Sequence, residues 1–224
     1  MEPRYILFDM DGVLINSSRS IIETTEYTLS CYGKVLSEED RKKIIGPPLH
    51  VIYRDIFGFD PETAREAVAV YKRRYDECAL SLIEKFSGVD EMLKVLCAHD
   101  KKLMVATARF ADVTEKILET LDLRQYFCFV GCVNAAPGSE LPGAVTNKKE
   151  VINYCLTENG ILDRECAVMV GDRADDIAGG IENGIMTIGA SYGYGSAEEL
   201  TAAGAGFIAP DPLSVSRHII EDFG

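Results

Sequence analysis

Residues 5–14 read YILFDMDGVL, an apolar run that leads directly into two aspartates and a glycine. The run predicts a β-strand buried on both faces, as in a parallel sheet. Because side chains alternate along an extended chain, Asp9 and Asp11 are expected on the same side. Gly12 permits a tight turn away from the sheet. Two carboxylates at the end of one strand repel each other, a cost that a bound cation would offset.

Similar apolar runs recur along the chain and are separated by longer amphipathic stretches. We predict five further strands, at Leu103–Ala106, Phe127–Val130, Ala167–Val170, Met186–Ile188 and Gly206–Ile208. Capping patterns predict helices that begin after Ser37, Asp60 and Asn147, and the second of these could run toward Leu82. The alternation predicts an α/β fold with a Rossmann-like, doubly wound parallel sheet.

One interval breaks this alternation. Between Ser17 and about Ile83 the sequence has helical patterns and no convincing strand, although a parallel crossover needs only about a dozen residues. We therefore predict an all-helical cap at residues 17–83, inserted into a core made of residues 1–16 and 84–224. Open α/β sheets bind ligands beyond the carboxyl ends of their strands, so such a cap could act as a lid.

Polar residues also follow the second predicted strand and open a later helix. The Thr107 hydroxyl and the next backbone N–H groups could bind a phosphoryl oxygen, and Arg109 could add positive charge. Lys148 stands at the first position of the helix that Asn147 opens, where anions are favoured. Taken alone, Thr107 would more often be a helix cap or a turn residue, and Lys148 or its neighbour Lys149 would more often be a solvated surface group.

A fourth cluster follows the strand predicted at Ala167–Val170. Gly171 and Asp172 end that strand, and on a helix beginning near Arg173 the Asp176 side chain would face back toward it. Hard oxygen ligands of this kind suit Mg²⁺. The alternative is an acidic helix start that only favours the helix dipole. The four clusters in order indicate a site more strongly than any one of them.

Together these residues resemble the haloacid dehalogenase superfamily of phosphatases. The stretch DMDGV at 9–13 resembles the first motif of that family, Thr107 the second, Lys148 the third, and Gly171-Asp172 with Asp176 the fourth. The stretches IGPPL at 45–49 and SYGYG at 191–195 are similar to its phosphoglycolate phosphatase and pyrophosphatase branch. Residues 189–195 lack the Gly-Lys-Ser/Thr ending of a P-loop, so by themselves they predict a mobile surface loop.

The resemblance implies a role for each motif residue. Asp9 would be the nucleophile, and Asp11 would protonate the leaving oxygen and then activate water. Mg²⁺ would be held by Asp9, the backbone carbonyl of Asp11 and Asp172. Asp176 would support the waters of the metal or Lys148.

The resemblance also implies how the phosphoryl group is bound. The residues expected to contact it are Thr107, Ala108, Arg109 and Lys148. The expected reaction is Mg²⁺-dependent hydrolysis of a small phosphate monoester through an aspartyl-phosphate intermediate. Phosphoglycolate, a nucleoside monophosphate, pyrophosphate and a sugar phosphate are all candidate substrates.

Two other functions are compatible with the same motifs. A sugar phosphomutase is favoured by Val13, but those mutases carry a histidine where this chain has Ile21. A catalytically silent phosphate-binding regulator is the second alternative, and the intact motif side chains argue against it.

Composition limits the partners and the compartment. The formal net charge of −13 argues against nucleic acid, whose binding depends on cationic contacts. No apolar run reaches the roughly 18 residues of a membrane span. The seven scattered cysteines are typical of reduced thiols in the cytoplasm. We expect a cytoplasmic monomer or homodimer that acts on a small phosphorylated metabolite, without nucleic-acid or membrane partners.

Overall fold

In the computed structural model of this chain, six parallel strands form one sheet. The structure describes residues 2–47, 49–135, 139 and 142–222. The strands of the sheet are β1 (Tyr5–Phe8), β4 (Lys102–Phe110), β5 (Phe127–Val133), β6 (Ala167–Gly171), β7 (Met186–Ala190) and β8 (Phe207–Ala209). They lie in the order β5-β4-β1-β6-β7-β8. The predicted doubly wound α/β fold is confirmed, and all six predicted strands are present.

The first strand lies at the centre of this sheet. Its residue Tyr5 pairs with Lys102 of β4 on one side and with Ala167 of β6 on the other. Because β1 is covered on both edges and both faces, its run of apolar side chains is buried. The strand order reverses at β1, and ligands of open α/β sheets bind at such a reversal.

The chain divides into two compact units. The first, here the core unit, comprises Met1–Ile15 and Lys85–Gly224, and the second, the helical unit, comprises Asn16–Glu84. These bounds differ by one residue at each junction from the expected 1–16, 17–83 and 84–224. Two short strands, β2 (Ile15–Asn16) and β3 (Glu84–Lys85), pair with each other at the junctions.

Helices flank the sheet of the core unit. They are α5 (Val89–Ala98), α6 (Ala111–Thr120), α7 (Lys148–Glu158), α8 (Ala174–Glu182), α9 (Ala197–Ala202) and α10 (Pro212–Glu221). The predicted cap of α7 is present, since the Asn147 side chain accepts a hydrogen bond from the Glu150 N–H at 3.0 Å. Val151 and Ile152 of α7 pack into a buried apolar cluster with Leu7 of β1. This packing fixes the first turn of α7 against the sheet.

The helical unit contains four α-helices within its described residues. They are α1 (Ser18–Ser30), α2 (Glu38–Lys43), α3 (Leu49–Val51) and α4 (Pro61–Cys78). A π-helical stretch, Ile52–Ile56, follows α3, and a 3-10 turn, Ala79–Leu82, follows α4. The long helix predicted from Asp60 toward Leu82 thus changes its winding after Cys78. No described residue from 17 to 83 lies in a strand; Pro48, which belongs to the quoted IGPPL stretch, lies outside the described residues.

Several strand predictions were too short, and the one at Leu103–Ala106 was the shortest relative to the observed strand. The second strand was expected to end before Thr107, but β4 continues through Thr107 and Arg109 to Phe110. Thr107 still pairs with Cys132 of β5, and a register shift separates this pair from Phe110 and Val133. The backbone therefore stays extended where the polar side chains begin, and α6 starts immediately afterwards. In the part of the chain that the structure describes, no helix is both long and apolar enough to cross a bilayer.

Candidate active site

The turn after β1 holds Asp9 in a buried position. The Asp9 N–H donates to the Val170 carbonyl of β6 at 2.9 Å, and the Leu14 and Ile15 N–H groups both donate to the Met10 carbonyl at 3.0 Å. Gly12 has a φ of +79°, and a Cβ atom added there would lie 2.0 Å from Asp172 Oδ2. Glycine is required at this position for its backbone conformation and for the close approach to Asp172.

The side chain of Lys148 joins two carboxylates beneath this turn. Its Nζ lies 2.6 Å from Asp9 Oδ1 and 2.9 Å from Asp176 Oδ1, and it donates to the Ala106 carbonyl of β4 at 2.9 Å. Only 9% of the side chain is exposed. Lys149, the sequence alternative, instead pairs with Glu182 at 2.7 Å and is 58% exposed. Of the two neighbouring lysines, Lys148 therefore belongs to the site.

The end of β6 contributes two further buried carboxylates. Asp176 Oδ2 accepts hydrogen bonds from the N–H groups of Asp172 and Arg173, each at 3.1 Å, which also caps α8. Asp172 Oδ2 accepts from the Tyr194 N–H at 2.8 Å. Asp172 Oδ1 is buried and has no hydrogen-bond partner among the described residues. A buried carboxylate oxygen in this state is costly unless a cation binds it.

Three of the predicted metal ligands converge. Asp9, Asp172 and Asp176 each offer an oxygen, and these oxygens lie within 4.8 Å of one another. Three negative charges face the single ammonium of Lys148, and carboxylate oxygens are the donors that Mg²⁺ prefers. The residues present therefore fit a divalent cation.

Burial and mutual repulsion shift the pKa values of this cluster. Burial raises the pKa of Asp9 to about 7, against the opposing charge of Lys148. Burial and then the charges of Asp9 and Asp176 raise the pKa of Asp172 to about 8. Burial alone would lower the pKa of Lys148, but Asp176 and Asp9 raise it above its ordinary value. Lys148 is therefore positively charged at neutral pH, but its one positive charge is not enough to neutralise all three carboxylates.

The carboxylate of Asp11, which was predicted to transfer protons, has a different partner. Arg109 Nε lies 2.5 Å from Asp11 Oδ2 and its Nη2 lies 2.8 Å from Asp11 Oδ1, so the pair is bidentate. Thr107 is buried, and its Oγ1 accepts from the Arg109 N–H at 3.3 Å. Ala108 between them is exposed. Sequence analysis expected Arg109 to contact a substrate and did not anticipate its pairing with Asp11.

Sequence analysis also missed the contribution of the loop at Ser191–Gly195. A Cβ atom added at Gly193 would lie 2.3 Å from the Gly12 carbonyl oxygen, and one at Gly195 would lie 2.0 Å from the Asp172 carbonyl oxygen. The sequence predicted a mobile surface loop here, but the segment packs against the aspartate cluster. Two glycines on either side of Tyr194, just after a strand, are the signal of close backbone approach that could have indicated it.

A second residue outside the motifs supports the start of α8. Glu199 Oε1 of α9 accepts from the Ala174 N–H at 3.1 Å and lies 3.2 Å from Arg173 Nε. A carboxylate at the first turn of a helix also interacts favourably with the helix dipole. Glu199 therefore helps to fix the backbone that carries Asp172.

Known proteins with similar sequences and structures identify the family of this chain. A family model described as haloacid dehalogenase-like hydrolase matches residues 6–190. A 5'-nucleotidase from Pseudomonas aeruginosa is 33% identical over 219 residues, which cover 96% of this chain and 95% of that protein. The tyrosine-protein kinase PtkA from Mycobacterium tuberculosis is 30% identical over 197 residues, which cover 88% of this chain and 65% of the kinase. The solved structure of a predicted phosphatase from Clostridium acetobutylicum has a TM-score of 0.85 at 30% identity and covers 99% of this chain and 100% of that one.

Proposed function

Because this chain belongs to the haloacid dehalogenase-like hydrolases and is a hydrolase of phosphate esters, we propose that it cleaves a small phosphate monoester by a Mg²⁺-dependent attack of Asp9. The family resemblance expected from the four motifs is confirmed. The observation that carries the proposed mechanism is the buried cluster in which Lys148 joins Asp9 to Asp176 while Asp172 stands beside them.

The first half of the reaction transfers the phosphoryl group to Asp9. Lys148 holds Oδ1 of Asp9, which leaves Oδ2 to attack phosphorus. A new Asp9 oxygen–phosphorus bond forms, the ester phosphorus–oxygen bond breaks, and the leaving oxygen takes a proton from Asp11. In the second half, Asp11 accepts a proton from water, and that water attacks the aspartyl phosphate to release inorganic phosphate and restore Asp9.

Cationic and hydrogen-bonding side chains of the protein would bind the phosphoryl group and neutralise its negative charge. Lys148 and the Thr107 hydroxyl would bind its oxygens, in keeping with the importance of positioning and charge neutralisation in phosphoryl transfer. Arg109 is paired with Asp11 in the substrate-free chain. We propose that the phosphoryl group competes with Asp11 for this guanidinium and also binds the backbone N–H groups of Ala108 and Arg109. Substrate binding would then release Asp11 for proton transfer.

The proposed cation site consists of Asp9, Asp172 and the backbone carbonyl of Asp11, with Asp176 in support. Bound there, Mg²⁺ would neutralise charge on the transferring phosphoryl oxygens. The unpartnered Oδ1 of Asp172 and the excess of carboxylates over ammonium groups support this assignment.

The charge of the chain and its similarity to proteins of known activity support a proposal for the substrate class. We propose a small phosphorylated metabolite, such as phosphoglycolate or a nucleoside 5'-monophosphate, and the 5'-nucleotidase relative supports the second of these. The net charge of −13 opposes nucleic-acid substrates. All seven cysteines, each within the described residues, are free thiols, in keeping with a cytoplasmic enzyme.

The test is a phosphate-release screen on the intact chain with and without Mg²⁺. The panel contains phosphoglycolate, nucleoside monophosphates, pyrophosphate and sugar phosphates. Asp9→Asn should abolish release, whereas Asp175→Asn, the same change at an exposed position of α8, should leave it intact. Turnover that requires a sugar bisphosphate and releases no phosphate would indicate a mutase instead. Binding of these esters without turnover of any would indicate a regulator.

A further inference from the structure

The loop at Ser191–Gly195 (the 191–195 loop) is anchored at both ends within the core unit. At its start, the Ser191 N–H and Oγ both contact the Ala209 carbonyl of β8, at 2.9 and 3.1 Å. Toward its end, the Tyr194 N–H donates to Asp172 Oδ2 at 2.8 Å. The loop therefore connects the edge of the sheet to one of the proposed metal ligands.

The Tyr192 side chain in the middle of this loop contacts a different part of the core unit. Its hydroxyl donates to the Val13 carbonyl at 3.1 Å, and its ring packs edge-to-face on Phe86 with 5.4 Å between the centroids. Burial, together with the charges of Asp172 and Asp211, raises the pKa of Tyr192. The hydroxyl thus stays protonated, and it remains a donor at any working pH.

Val13 and Phe86 have a distinctive place in the chain. Val13 lies just before the point where the chain leaves the core unit, and Phe86 just after the point where it returns. The two segments are themselves joined, since the Phe86 N–H donates to the Leu14 carbonyl at 3.2 Å. Tyr192 therefore contacts both the departing and the returning segment, while the residue two positions later hydrogen-bonds Asp172.

We propose that Tyr192 is a positioning residue for the cation site. Its contacts with Val13 and Phe86 hold the 191–195 loop against the turn after β1. They thereby fix the position of the Tyr194 N–H that orients Asp172. With Oδ2 of Asp172 held by this N–H, Oδ1 is the oxygen that would be available to hold a cation. The proposal rests on the Mg²⁺-dependent function above. It makes Mg²⁺ affinity depend on a side chain whose hydroxyl bonds the Val13 carbonyl rather than a proposed metal ligand, as expected for partners that orient metal ligands.

The test measures Mg²⁺ binding to the substrate-free, full-length protein by isothermal titration calorimetry. Tyr192→Phe removes the hydrogen bond to Val13 and keeps the ring, and it should weaken Mg²⁺ binding about threefold, the effect of one hydrogen bond. Tyr192→Leu removes both contacts and should weaken binding about tenfold or more. The controls are Tyr154→Phe and Tyr154→Leu, since Tyr154 is 39% exposed and its ring also packs on a phenylalanine, Phe129.

Kinetics provide a second readout. At a fixed low Mg²⁺ concentration, the Tyr192 variants should lose kcat with an unchanged KM for the phosphate ester, and excess Mg²⁺ should restore the Tyr192→Phe variant. Unfolding midpoints in the presence of a chelator report any purely structural effect. Lower midpoints with unchanged Mg²⁺ affinity, or equal losses in the Tyr154 controls, would overturn the proposal. Absence of Mg²⁺ binding and phosphate release in the unsubstituted protein would instead overturn the proposed function itself.

Discussion

Replacement of Lys148 by methionine tests the charge balance of the buried cluster. The substitution keeps the length and apolar stem of the side chain but removes the ammonium that lies 2.6 Å from Asp9 and 2.9 Å from Asp176. Two buried carboxylates then lose their common counter-ion. We expect the Lys148→Met protein to be less stable and almost inactive.

The size of the effect follows from burial. Removal of one partner from a buried ion pair costs about 3–5 kcal/mol, and the Lys148 side chain is 9% exposed. The same change at Lys149 removes an ion pair to Glu182 from a side chain that is 58% exposed, and such solvent-screened pairs contribute little to stability. Loss of a group that stabilises the transition state should also cost about 2.7–4 kcal/mol of activation free energy, or about 10²- to 10³-fold in kcat.

Urea unfolding followed by far-UV circular dichroism in the presence of a chelator gives the free energy of unfolding of Lys148→Met, Lys149→Met and the unsubstituted chain. The measurement belongs well above pH 7, because burial raises the pKa of Asp9 to about 7 even beside Lys148 and removal of the ammonium raises this pKa further. A protonated carboxyl group needs no counter-ion. A further Asp176→Asn substitution should recover part of the stability lost in Lys148→Met, since it removes one of the two unpaired charges. Equal losses in the two lysine variants, or a loss below about 1 kcal/mol at Lys148, would refute the reasoning.

Three further predictions concern the cation and the substrate. The affinity for Mg²⁺ should decrease as the pH is lowered from about 9 to about 6, because metal ligands must be deprotonated. Burial raises the pKa of Asp9 to about 7 and that of Asp172 to about 8. A calorimetric affinity that does not change with pH would contradict this. Gly12→Ala should weaken Mg²⁺ binding, since its Cβ would lie 2.0 Å from Asp172 Oδ2. The control is Gly33→Ala, at a similar positive φ, where the added Cβ would have no contact within 4 Å among the described residues. It should cost only about 1–2 kcal/mol of unfolding free energy and leave binding unchanged. Arg109→Gln should raise KM for the phosphate ester about tenfold, which corresponds to a loss of about 1.4 kcal/mol of binding free energy. An unchanged KM with a lower kcat would instead show that Arg109 only orients Asp11.

The sequence was sufficient for features that depend on contiguous residues. The run at 5–14 predicts both the central strand and the position of Asp9 because burial and alternation act over a few residues. The capping pattern at Asn147 likewise predicts where α7 begins, and therefore where Lys148 stands.

Features that depend on the arrangement of the sheet were not accessible in the same way. The pairing of Asp11 with Arg109 joins residues 98 positions apart, and the extension of β4 to Phe110 depends on its register with β5. The packing of the 191–195 loop on Asp172 requires β7 to lie beside β6. Local patterns do not determine such neighbours, because they arise only when distant strands pair.

The central position of β1 has a consequence for biosynthesis. This strand leaves the ribosome before both of its neighbours, because Tyr5 pairs with Lys102 and with Ala167. At translation rates of about 5–20 residues per second, its apolar residues wait on the order of 10–30 s for the second of these partners. A nascent chain of this protein therefore carries a hydrophobic strand with at least one unpaired edge until β6 has emerged, and molecular chaperones that bind such segments should associate with it during that interval.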